Sequence, residues 1–188
     1  MKVSREAAAA TRRRIVDTAG RLFRERGYER VGVADVMKQA GLTHGGFYGH
    51  FASKDALVAE GTAAALASKA GVWDALSAGP DGPDLRAFVA SYLSPAHRDA
   101  PGNGCAFATL AAAAAHEQPP VRAVFGAAIR SRLDKLAALV PGRSAAAKRQ
   151  AAIATLSGLV GALMLSRAVD DPALSEEILR SAKEAFQT

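Results

Sequence analysis

The segment 41–57, GLTHGGFYGHFASKDAL, limits the fold more than any other stretch of the chain. Three glycines, Gly45, Gly46 and Gly49, fall inside what reads as one short helix. Each interior glycine costs a helix about 1 kcal/mol relative to alanine. Such a helix exists only if packing holds it, and Phe47 and Phe51 lie four apart on one face to do so. The preceding turn, Ala40-Gly41-Leu42-Thr43, is tight. Gly41 supplies an unusual backbone angle, Leu42 plugs the core and Thr43 caps the next helix. That order is the grammar of a helix-turn-helix, whose second helix enters a DNA major groove. A helix edge with little side chain lets its backbone approach base edges and thymine methyls closely.

The rest of the chain is predicted to be helical too. Sustained period-2 alternation of β-branched residues is missing and alanine dominates, so the fold class is all-α, with about nine helices. The first helix spans about 8–26, with Ile15, Ala19, Leu22 and Phe23 on one face and Gly27 at its end. The second spans about 33–41 behind Gly32, with Val36, Met37 and Ala40 inward, and the third covers 44–50. Ser53 caps a fourth that runs to about Leu76, before a break at 78–83. Later helices are expected near 84–93, 104–116, 119–140, 144–169 and 173–186, with a further break at 94–103.

Charge divides the chain unevenly. Residues 1–55 hold 11 of the 24 Lys/Arg but only 6 of the 18 Asp/Glu, so nearly all the positive excess lies in the first third. A basic module beside a neutral body suits a polyanionic partner for the module alone. Cys105 is the single cysteine, which fits a reducing compartment. No apolar run follows the basic start, so no secretory signal is expected. The most apolar stretch, 155–166, is shorter than the roughly 20 residues a membrane span needs, and a cytoplasmic location is expected.

With these residues in view, the segment 8–60 resembles the DNA-binding module of the TetR/AcrR family of transcriptional regulators. The resemblance rests on ATRRRIVDTAGRLFRERGYERVGVADVMKQAG followed by GLTHGGFYGHFASKDAL, above all Phe47-Tyr48, Phe51 and Ser53-Lys54-Asp55. It implies a DNA-binding domain at 1–52 and a ligand-binding and dimerisation domain at 53–188. It implies that Thr43, His44, Gly45, Gly46, Tyr48, His50 and Lys54 lie at the DNA, with Arg12 and Arg13 reaching flanking phosphates. The function implied is a repressor that binds a near-palindromic operator as a homodimer and is released by a small-molecule inducer. His44 stands where Lys or Arg is frequent in the family and Gly46 where Thr or Ser is frequent. With few side chains left to read bases, part of the specificity is expected from DNA shape.

The body offers less. Trp73, Phe88, Tyr92, Phe107 and Phe125, joined by Leu110, Ile129 and Met164, are the candidate lining of an apolar ligand cavity. Ala154, Gly158 and Ala162, with Ser157 and Gly161 alongside, form a small-residue stripe on the eighth helix. In the resembled family the eighth and ninth helices usually form the dimer interface. Cys105 opens the sixth helix, where a helix N-terminus favours thiolate, and a thiol-sensing repressor is the alternative function.

Enzymatic readings find little support. Eleven residues of helix would hold Cys105 and His116 about 16 Å apart, beyond proton-transfer reach. The histidines, His44, His50, His97 and His116, show no metal-ligand spacing, no phosphate loop is present, and no cofactor or metal is expected. A nonspecific architectural DNA binder would not need the large neutral body.

Overall fold

The computed structural model describes residues 5–68 and 84–186. Those residues contain nine α-helices and no strand. They are α1 (Arg5–Arg26), α2 (Val33–Gln39), α3 (Lys54–Ala67), α4 (Leu85–Tyr92), α5 (Pro95–Asp99), α6 (Phe107–Ala114), α7 (Pro119–Ala137), α8 (Ala145–Ala168) and α9 (Pro172–Phe186). Between α2 and α3 the segment His44–Gly49 forms a 3-10 helix, not the expected α-helix. Three glycines in six residues leave little propensity for a regular helix there.

Several expected boundaries move. The helix predicted from Ser53 to Leu76 ends, among the described residues, at Ala67, and Trp73 and the break at 78–83 lie outside them. The expected break at 94–103 holds α5 and a short 3-10 turn, Pro101–Asn103. Ser94 makes α5 possible: its side chain accepts the His97 N–H at 3.2 Å, and Pro95 follows at the first helical position. The sixth helix begins at Phe107, so Cys105 lies just before it, not on it. The stretch at 155–166 belongs to a 24-residue helix that is long and apolar enough, by length and composition, to cross a membrane. Only a third of its most apolar window is buried inside this chain.

The helix-turn-helix turn forms as its residues predict. Gly41 has φ +69°, its N–H reaches the Lys38 carbonyl (3.0 Å), and the Leu42 N–H reaches back to Met37 (2.9 Å). This is a Schellman closure, open to glycine because φ is positive. Gly27, φ +78°, ends α1 in the same left-handed conformation.

α1 packs more extensively on α3 than any other pair of elements. The two helices meet at two glycines. A Cβ on Gly20 would stand 2.7 Å from the Gly61 carbonyl oxygen, and one on Gly61 would stand 2.8 Å from the Phe23 ring. Tyr28 and Thr62 add a buried hydrogen bond, the Thr62 hydroxyl donating to the Tyr28 oxygen at 3.0 Å.

The body is stitched by His97. Its Nδ1–H donates to the Tyr92 carbonyl (2.7 Å), and its Nε2 accepts the Cys105 N–H (2.9 Å). Arg167 of α8 donates to the backbone carbonyls of Arg98 (2.9 Å) and His97 (2.7 Å), tying α5 to α8. Gly158, read as part of a stripe for a second chain, is occupied within this one: Phe186 of α9 lies where its Cβ would be.

Two outcomes follow from this packing. Gly20→Ala lowers stability by about 1–3 kcal/mol, because the carbonyl it strikes belongs to helix backbone and cannot swing away. That loss exceeds the roughly 1 kcal/mol alanine gains in helix propensity. Gly49→Ala, with nothing within 4 Å of the added carbon, leaves stability unchanged or higher. Thermal unfolding of the two variants checks the contrast. Burial pushes the His97 pKa down. As pH falls below about 6.5 the unfolded chain takes up the proton first, so stability present above that pH is lost toward acid. Urea midpoints should fall from pH 7.5 to 5.5, and fall less in His97→Gln; an identical fall in both proteins would place the titration elsewhere.

Candidate nucleic-acid interface

Phe47 and Phe51 anchor the 44–49 turn. Both are buried, with stacked rings whose centroids lie 5.4 Å apart. Burying two phenyl side chains contributes about 3–6 kcal/mol, which offsets the roughly 3 kcal/mol that three glycines cost. The turn is therefore held from below. Its upper side is open: Thr43, His44, Gly45, Gly46, Tyr48 and Gly49 are all exposed. Added Cβ atoms on Gly45 and Gly49 would meet nothing within 4 Å, and one on Gly46 would make only ordinary contact with Met37 and Thr43. None of the three has a positive φ. Neither space nor backbone geometry inside the chain requires glycine at these positions.

Tyr48 is 71% exposed, yet its ring is placed. Phe47 meets it edge-on at 5.2 Å and His44 at 6.4 Å. Thr43 sits at the N-cap, but its side chain makes no capping bond, so its hydroxyl is available. Ser53 does cap α3, accepting the Ala56 N–H at 3.1 Å, and leaves the exposed Lys54 at the positive end of that helix.

Arg12 is engaged inside the chain. Its guanidinium forms a bidentate pair with Glu60 of α3, with Nη2 at 2.7 Å from Oε1. Its Nε donates to the His50 carbonyl (3.3 Å), and its plane lies 4.5 Å above the Phe51 ring. Arg12 thus fixes the end of the 44–49 turn against α1 and α3. Arg13 beside it is exposed.

The body residues separate into different surroundings. Phe88, Tyr92 and Leu110 are wholly buried, Phe88 against Tyr92 and Tyr92 against His97. Phe107 and Phe125 meet edge-on at 6.0 Å. Phe107 and Ile129 line an apolar groove of about 200 Å³ together with Leu133, Ile153, Leu156 and Val160. Met164 is 37% exposed on α8. Cys105 is buried beside a crevice of about 10 Å³, and Arg24 and Arg167 lie close enough to interact electrostatically with its sulfur.

Sequence reasoning missed Gly20, Gly61 and Arg24. The glycines carried a usable signal, since an isolated glycine in a helix interior marks a close approach. Arg24 had none, because one arginine among several on α1 looks like surface charge.

Comparison with known proteins agrees with this geometry. Residues 15–61 match the model for bacterial regulatory proteins of the tetR family, and residues 82–182 match the tetracyclin repressor-like C-terminal domain. The A-factor receptor protein of Streptomyces griseus is 44% identical over 50 residues, which are 27% of this chain and 18% of that one. An HTH-type transcriptional repressor of Mycobacterium tuberculosis is 43% identical over 56 residues, 30% of each chain. The aligned stretch thus spans less than a third of these relatives. Among solved structures, a TetR-family regulator from Cytophaga hutchinsonii superposes with a TM-score of 0.75 at 19% identity, covering 99% of this chain and 96% of that one. A TetR-family regulator from Streptomyces coelicolor gives 0.64 at 27% identity, covering 100% and 97%. The C-terminal model alone covers more than half of the sequence, and the chain belongs to the TetR family of bacterial regulatory proteins.

Proposed function

We propose that the protein is a cytoplasmic, homodimeric repressor that binds a near-palindromic operator and leaves it when a small molecule binds the body. The observation that carries this reading is the open backbone of Gly45, Gly46 and Gly49 above a packed aromatic base. Side chains are absent there although the fold has room for them, and a DNA major groove is what such an edge can enter. Gly45 and Gly46 lie against base edges. His44 reads a base or a phosphate, Thr43 and Tyr48 donate to phosphates, and Lys54 pairs with one at the helix N-terminus. Arg13 and His50 lie along the backbone, while Arg12, tied to Glu60, positions the turn instead of reaching out. Residues 1–52 form the DNA-binding domain and 53–188 the ligand-binding and dimerisation domain.

The dimer is supported by the outer side of α8. Ile153, Met164 and Leu165 are 48%, 37% and 59% exposed, on a helix whose apolar stretch is mostly unburied in one chain. A second copy covers that stripe, with α9 beside it. Pairing then spaces two recognition turns about 34–36 Å apart, one turn of DNA.

Induction works through α3, which carries Lys54 at its DNA-proximal end. An apolar cleft of about 290 Å³ lies between α3 and α7, and Arg132 of α7 donates to the Leu66 carbonyl at 3.0 Å. A ligand there moves α3, and with it the head, so it must bind the DNA-free form more tightly. A second reading, thiol sensing, is favoured by the two arginines near Cys105. Alkylation that weakens operator binding in the wild type but not in Cys105→Ser would establish it.

Fluorescence anisotropy with DNA from upstream of the protein's own gene tests the main reading. Specific binding should exceed that to scrambled DNA by about 10³-fold. Tyr48→Ala should lower it, and Gly45→Leu should abolish it without loss of thermal stability. A Gly45→Leu protein that still bound its operator would remove the close-approach argument. In sedimentation the wild type should be a dimer and Ile153→Glu/Leu165→Glu a folded monomer.

A further inference from the structure

A polar cleft of about 500 Å³ lies where α1, the end of α3 and the 101–103 turn come together. Among the described residues its polar lining is Asp17, Thr18, Arg21, Arg24, Ser68 and Asn103. Gly20, Ala64 and Ala65 also line it. The volume is within the range of sites that hold small molecules.

Arg24 is the unusual member. It is only 9% exposed. Its Nε donates to the Gly102 carbonyl at 2.7 Å, and no other partner for its guanidinium is found among the described residues. Its neighbour Glu25 is paired with Arg21 at 2.9 Å. Its two terminal nitrogens are not sealed from solvent, so a ligand in the cleft can reach them. Burial lowers its pKa from the ordinary arginine value, while the neighbouring Cys105 and Glu25 act in the opposite direction. Arginine holds a carboxylate through two parallel N–H bonds, and the terminal nitrogens of Arg24 are free to do so.

We propose that this cleft binds a small organic monocarboxylate, its carboxylate on Arg24. Asp17 stands in the same cleft, so a second negative charge is disfavoured and a hydroxyl or amino donor is selected. Thr18, Ser68 and Asn103 provide the remaining hydrogen-bonding positions. This site is separate from the apolar cleft between α3 and α7, and it does not depend on the DNA-binding reading.

Calorimetry on the full chain without DNA tests it, using lactate, 3-hydroxybutyrate, 4-aminobutyrate and 4-hydroxybenzoate, each beside its neutral amide. At least one acid should bind saturably at one per chain, with its amide about tenfold weaker or worse. Arg24→Gln and Ala64→Trp should each weaken that acid by a similar factor, while Arg149→Gln on the surface changes nothing. Ala64→Trp fills the cleft and leaves Arg24 untouched, so it decides the matter if Arg24→Gln fails to fold. Absence of binding by all four acids, or binding that survives Ala64→Trp, would overturn the proposal.

Discussion

The close crossing of α1 on α3 at Gly20 and Gly61 is the contact on which the rest of the arrangement depends. One side-chain carbon at either position comes within 3 Å of a neighbour: at Gly20 the α3 backbone itself, at Gly61 the Phe23 ring that fills the space. Around that point three contacts of different chemistry keep the pair in register. Arg12 with Glu60 lies beside the 44–49 turn, Phe23 packs over Gly61, and Tyr28 with Thr62 adds a buried hydrogen bond. The ion pair is half-exposed and adds direction more than energy. The apolar contact and the buried hydrogen bond supply the stability. Because α1 holds the end of the 44–49 turn through Arg12 and α3 leads from that turn into the body, this crossing fixes how the head is aimed.

The 44–49 turn shows the opposite use of glycine. At Gly20 and Gly61 the chain's own atoms fill the missing side-chain volume; at Gly45 and Gly49 nothing does. The same residue type therefore marks internal contact in one place and a vacancy for an external surface in the other. Phe47 and Phe51 decide that the turn folds at all, since intrinsic propensity is against it. Their burial keeps the turn rigid enough that binding need not order it first, which preserves binding energy for the contact itself.

The all-α class, the Gly41 turn and the aromatic base of the head were legible because each is a local signal: periodicity, a positive-φ glycine, and two phenylalanines four apart. The end of the fourth helix and the content of 94–103 were not. A one-turn helix such as α5 depends on His97 finding the Tyr92 carbonyl and the Cys105 N–H, and that pairing is tertiary. The aromatic set of the body was legible as a list but not as a place. Phe88 and Tyr92 are sealed in the core, whereas Phe107 reaches a groove, and only the packing of α6 against α7 and α8 separates them. Gly158 misled for a related reason. A small residue announces that something comes close, and the sequence does not say whether that is the same chain.

Of the contacts between the body and α1, two differ sharply in stiffness. One runs along α3, a 14-residue helix pressed against α1 at its glycines. The other runs through the 101–103 turn, which reaches α1 by Arg24 holding the Gly102 carbonyl. A helix transmits displacement along its length as a rigid body, while a single charge-assisted hydrogen bond transmits only presence or absence. On the mechanism proposed above, movement at the α3–α7 cleft would reach the head as a change of angle. Loss of the Arg24 bond would loosen that joint. Both contacts end on the same element, α1.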